Sequence, residues 1–206
     1  MQLEFLEPTL ERSIVKELLQ WSKEILEENN PFFNDMPACP FAQKAWQEGK
    51  VSIIFKYENS YQCLYSVVSS FDDNFEVAII IDLNFEKDPE TFHDYLHEMN
   101  KAISQGMFID KDIWLMGFHP DDDGNEFVAD VASDFEALVD KEYAMIFVQR
   151  LSKLQESADK LAKRGYYKVY EEDYNAQELF EHRSNLYRRL KNGDASQKEN
   201  EKRWYG

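Results

Sequence analysis

Leu10, Ile14, Leu18, Trp21 and Ile25 recur at helical spacing behind the entry Pro8-Thr9, so a first amphipathic helix is predicted to run to about Asn29, where Asn29-Asn30-Pro31 breaks it. The period then changes to two. Val51, Ile53, Phe55 and Tyr57 share one face, with Ser52 and Lys56 among the others, and read as a strand; Glu58-Asn59-Ser60 reads as a turn. Tyr61, Cys63, Tyr65 and Val67 alternate again, which predicts a second strand over 61–69 and a β-hairpin. Phe75 to Leu83 contains the run Val77-Ala78-Ile79-Ile80-Ile81, the composition of a central strand covered on both faces. Asp88-Pro89-Glu90 is a helix start, and Phe92, Leu96, Met99 and Ile103 supply its core stripe before Gly106. Asp112 to Phe118 is predicted as a short strand delivering His119. Tyr143 to Val148 fits either a strand or the start of the helix over 151–163, and periodicity does not choose. A last helix is predicted over 175–191.

This order of elements implies an α+β fold, a mostly antiparallel sheet backed by helices. The division expected is a core domain over 1–165, a helical extension over 166–191 and a polar, disordered tail over 192–206.

At 206 residues the chain is long enough to bury one core without staples. No apolar run approaches the roughly 18 residues of a membrane span. The acidic start, Met1-Gln2-Leu3-Glu4, carries no signal pattern, and together with only two cysteines it suggests a cytoplasmic protein with free thiols. A formal net charge of −17 argues against nucleic-acid binding, which needs clustered cations. It leaves a basic protein partner open. From Gln177 onward seven Lys/Arg face five Asp/Glu, so the C-terminal stretch differs in charge from the rest.

The chemistry concentrates around Met36-Pro37-Ala38-Cys39-Pro40-Phe41-Ala42. A helix over 40–46 would put Cys39 at its cap and Pro40 at its first position. There the backbone N–H groups would favour the thiolate and lower the pKa, with Lys44 one turn in. The competing reading is an inert, buried cap cysteine. His119, in Gly117-Phe118-His119-Pro120, would be the partner that activates the thiol, and Arg150 would hold an anionic substrate. Cys63 reads as core. His93 and His97 share a helix face and fit a two-histidine metal pair, although solvated histidines fit as well. Asp121, Asp123, Gly124 and Asp130 partly imitate a calcium loop. No glycine-rich phosphate loop and no Gly-x-Ser-x-Gly is present, which speaks against nucleotide-hydrolase and serine-hydrolase readings.

Trp21, Cys39-Pro40-Phe41-Ala42, Ile79-Ile80-Ile81, the stretch Phe92 to Tyr95, Phe118-His119-Pro120 and Arg150 stand in an order that resembles an uncharacterised bacterial family, domain of unknown function 1415. The resemblance covers residues 15 to 162. Members typically carry Arg-Ser-Pro-Tyr-Pro and then a histidine before the late arginine; here the stretch reads Asp140-Lys141-Glu142-Tyr143-Ala144, and Phe147 holds the histidine's place. The resemblance implies that Cys39, His119 and Arg150 form one cluster, and it implies no reaction and no cofactor. The expectation is therefore a small-molecule site acting through a thiolate. Its alternatives are an acidic interaction protein, and a metal-binding protein using Cys39 and His119, with His93, His97 or Asp121, Asp123 as further ligands.

Overall fold

The computed structural model describes residues 9–108, 111–121, 139–168 and 176–192. Helix α1, Leu10–Trp21, starts where the Thr9 hydroxyl accepts from the Arg12 N–H, and it buries Ile14 and Leu18. It continues as one π-helical turn, Ser22–Leu26, closed by Glu27 N–H to Ser22 O at 2.9 Å. The helical run therefore stops three residues before Asn29. The segment that follows is an ordered small hairpin, β1 Asn29–Asn30 against β2 Met36–Pro37. Its turn puts Asn34 and Asp35 at φ 57° and 58°, a left-handed conformation that these two residue types tolerate better than most. Helix α2 is short, Ala42–Gln47.

Among the described residues the main sheet has four strands, β3 Val51–Lys56, β4 Val77–Asp82, β5 Trp114–Phe118 and β6 Ala144–Gln149, in the order β3-β4-β6-β5. Strands β3 and β4 are parallel, whereas β6 runs antiparallel to both neighbours. The fold is α+β with two of the three pairings antiparallel, as the element order implied. The stretch 144–149 is thus a strand. It fills the slot that the crossover from β4 to β5 leaves open.

One predicted element is wrong. Residues 62–70 form helix α3, Gln62–Ser70, so there is no 51–69 hairpin; β3 passes through α3 into its parallel neighbour β4. Leu64, Val68 and Phe71, spaced i, i+4, i+7, are its buried stripe, while Tyr65 stays 37% exposed. The alternation of Tyr61, Cys63, Tyr65 and Val67 mimicked a strand, and burial of the helical stripe decided the matter.

Helices cover both sheet faces. On one face Ala78, Ile80, Leu115, Ile146 and Val148 pack against α3 and against Phe92, Leu96, Met99 and Ile103 of α4, Pro89–Ser104. The Asp88 carboxylate caps α4 by accepting from Thr91 N–H at 3.0 Å. Asn100 ties α4 to β5, donating to Leu115 O and accepting from Leu115 N–H, both at 2.9 Å. On the other face Ile79 and Ile81 meet Ile14 and Leu18 of α1. Helix α5, Leu151–Lys163, packs there as well, with Leu151 and Leu154 against Trp114. Helix α6, Ala176–Asn192, lies against α5 and touches α4. The tail over 193–206 lies outside the described residues.

Candidate functional site

The small hairpin carries Cys39 to the end of the π turn, where its N–H donates to Leu26 O at 2.8 Å. Tyr166, beyond α5, stacks on Phe33 at 4.7 Å, and its hydroxyl donates to Ala38 O, so the loop before Cys39 is clamped from behind. Cys39 thereby becomes part of a wall. Between α1 and α2 on one side and α5 on the other lies a cleft of about 370 Å³. Its floor is the sheet: Val51, Val77, Ile79 and Phe147. One wall is Trp21, Leu26, Cys39 and Trp46; the other is Lys153, Leu154, Ser157 and Lys160.

The π turn shapes the first wall. Ser22, buried there, donates from its hydroxyl to Glu27 Oε1 at 2.8 Å and accepts from Trp46 Nε1 at 2.9 Å. That bond fixes the indole of α2 against α1. Phe147, in the floor, packs on Phe118 at 5.0 Å, and Phe118 meets Trp21 at 6.1 Å. Phe118, outside the lining, thus links two of the lining rings, Trp21 and Phe147.

Two expectations about Cys39 are corrected. The N-cap of α2 is Phe41, so Cys39 sits two residues before the cap rather than at it, although the Phe41 and Ala42 N–H groups still reach its sulfur. Burial pushes the thiol pKa up, Glu27 adds to that, and backbone hydrogen bonding at Phe41 and Ala42 offsets only part of it. The net effect favours the protonated thiol. In the native protein its alkylation should reach half-maximal rate above the ordinary thiol value of roughly 8.5 and fall back toward it in denaturant. His119→Ala should leave that profile where it is. Intact-mass kinetics across pH would show both, and a native midpoint below the ordinary value would overturn the assignment.

His119 does not meet Cys39. It follows Phe118, which pairs with Met145, whereas Arg150 follows Gln149, which pairs with Trp114 at the other end of the sheet. About six residues of strand separate those levels, about 20 Å at roughly 3.3 Å per residue. His119 is 4% exposed, packed on Phe85 and Phe92. Its Nδ1 accepts from Asp121 N–H at 3.1 Å, which leaves the proton on Nε2 to bond Glu86 O at 2.9 Å. Both ring nitrogens are occupied: Nε2 ties the end of β5 to the segment after β4, and Nδ1 closes the turn after His119 itself. Neither a Cys39–His119 thiolate pair nor a Cys39–His119 metal site is assembled.

Arg150 does line the cleft, but its charge is already engaged. It pairs with Asp73 at 3.0 Å, donates to Asp72 O and lies over the Phe71 ring at 5.1 Å. Cys63 lies on α3, packed into the core of the opposite sheet face, as expected of a core residue, and so cannot resolve an oxidised Cys39. His93 and His97 are half-buried on α4 rather than solvated. Among the described residues no group of three or more His, Cys, Asp or Glu side chains is placed to hold a metal ion. Asp121 is exposed, and Asp123, Gly124 and Asp130 lie outside the described residues.

Trp46, Phe147 and the π turn are the lining features that motif reading missed. A cysteine and an arginine stand out in a sequence, but an aromatic residue in a short helix or a strand reads only as core. Among the described residues no helix is long and apolar enough to cross a membrane. No family model, curated protein or solved structure matches the chain.

Proposed function

We propose that the protein binds a small, largely apolar molecule in the cleft between α1–α2 and α5, with the neutral Cys39 thiol as part of the wall. The observation that carries this reading is the cleft itself. A volume of about 370 Å³ falls in the range typical of small-molecule sites, and two indoles and two phenyl rings line it beside aliphatic sheet residues. Apolar surface left open at this scale is costly unless something covers it. Cys39 and Arg150, two of the three residues singled out by the family resemblance, both line the cleft. A distant relation to that family is part of the proposal; the thiolate is not.

Binding is tested with the neutral fluorophore N-phenyl-1-naphthylamine, whose emission rises in apolar surroundings. Saturable enhancement is expected, with Cys39 protected from alkylation while Cys63 is not. Ala42→Trp, which puts bulk at the mouth beside Phe41, should weaken binding about tenfold, the equivalent of roughly 1.4 kcal/mol. Absence of saturable binding, or binding that leaves Cys39 equally reactive, would sink the proposal even if the Ala42→Trp protein fails to fold.

A further inference from the structure

We infer that the cleft's ligand is an amphipathic monoanion, an alkyl or aryl chain ending in a carboxylate, with its head at the α5 rim beside Lys153 and Ser157. The inference rests on the binding reading above and adds the chemistry of the ligand. The apolar body is set by the floor and the indole wall. The polar end is set by the one edge where the lining changes character.

Along α5 the residues Lys153, Ser157 and Lys160 follow at i, i+4 and i+7 and border the cleft. Cations outnumber acids in this lining: Lys44, Arg150, Lys153 and Lys160 against Glu48, Glu76 and Glu156. That is unusual in a chain with 40 acidic and 23 basic side chains. The pairing pattern then separates the four. Arg150 is held by Asp73, Lys44 by Glu48 at 3.7 Å and Lys160 by Glu156 at 2.8 Å. Lys153 makes no direct ion pair or hydrogen bond among the described residues; it acts on Glu156 only through space. Its neighbour one turn on, Ser157, also has no hydroxyl partner there. An ammonium and a hydroxyl four residues apart offer two donors to one oxyanion.

The same arrangement argues against other heads. A cation placed beside Ser157 would face Lys153 and Lys160, because Glu76, the acid of the lining that is unpaired among the described residues, stands before β4 and not on α5. A doubly charged phosphate is best matched by the fork of an arginine or by several free cations, and here Arg150 is committed to Asp72 and Asp73 and Lys160 to Glu156. A neutral head could accept from both donors but would leave the Lys153 charge uncompensated.

The experiment displaces N-phenyl-1-naphthylamine from the full chain with decanoate, decan-1-ol and decylamine, below their aggregation concentrations, at low and high salt. Decanoate should bind about fivefold tighter than decanol, the upper range for a partly exposed charge contact. The advantage should shrink with salt, and decylamine should bind least. Lys153→Met keeps the apolar stem and should abolish the preference without weakening decanol; Lys153→Arg should restore it. The protein's overall negative charge repels anions, so a preference for decanoate has to arise locally. Equal affinities, or tighter binding of decylamine, overturn the head-group inference while the cleft stands. If the probe binds saturably but no decyl compound displaces it, the amphipathic-ligand inference fails while the cleft stands; if the probe itself does not bind, both readings fail.

Discussion

Asp82→Ala is expected to cost about 3–5 kcal/mol of stability, because it strands a buried ammonium. Lys56 and Asp82 are register partners at the ends of the parallel strands β3 and β4, and their Nζ and Oδ1 lie 2.7 Å apart. Lys56 is 4% exposed and Asp82 is fully buried. Asn84 completes the arrangement, accepting from Lys56 Nζ at 3.2 Å and donating its N–H to Asp82 Oδ1 at 3.1 Å. The second oxygen, Asp82 Oδ2, is buried with no hydrogen-bond partner among the described residues, so the carboxylate is desolvated beyond what its bonds repay. That asymmetry gives two expected results. Removing Asp82 alone should be severe, while the paired change Lys56→Met with Asp82→Leu should recover most of the loss. Urea melts would measure both. A loss below about 1 kcal/mol for Asp82→Ala would mean that water reaches Lys56 and that the pair is not buried in solution.

Cys63 supplies an independent reading of the same pair. Burial raises its thiol pKa first; Lys56 pulls it down and Asp82 pushes it up. Removing Asp82 deletes an upward push and leaves the downward one, so native-state alkylation of Cys63 should move to lower pH in Asp82→Ala. Cys39, on the other sheet face, should not respond.

The elements that could be read from the sequence are those whose pattern has one physical solution. Ile79 to Ile81 can be covered on both faces only in a central strand, and Asp88-Pro89 can start a helix but hardly anything else. Residues 61–70 had two solutions. Tyr61, Cys63, Tyr65 and Val67 satisfy a period of two, and Leu64, Val68 and Phe71 satisfy 3.6; the choice was made by what α3 covers, which is tertiary information. Its serines fit either state, and in the helix Ser66, Ser69 and Ser70 bond carbonyls four residues back. The same limit governs the site. Cys39, His119 and Arg150 stand out as residue types, but their grouping depends on which end of the sheet each strand delivers. Order along the chain does not encode that. Strand β6, whose type was ambiguous, is the element that carries Arg150 away from His119.

Gly117→Ala should cost about 1–3 kcal/mol by overpacking, although Gly117 stands in an ordinary strand conformation. A Cβ there would lie 2.7 Å from Phe92 Cε1, and Leu96 Cδ1 is closer still. Helix α4 cannot back away, because Asn100 fixes its distance from β5 through both hydrogen bonds to Leu115. Leu96→Ala alone should also destabilise, by about 2–5 kcal/mol through its cavity. Together the two changes should cost less than their sum, since the space one vacates is what the other needs. A double-mutant cycle in urea tests this, and strict additivity would remove the steric argument. Phe92 also touches the His119 ring at 5.5 Å, so the strain reaches the Gly117-Phe118-His119-Pro120 motif directly. The cleft lies on the other face of the sheet, with Val51 and Val77 at the opposite strand ends. Probe affinity and Cys39 alkylation in folded Gly117→Ala should therefore match wild type. If they shift together, the two motifs communicate through the sheet, and the independence of His119 from the Cys39 cleft is lost.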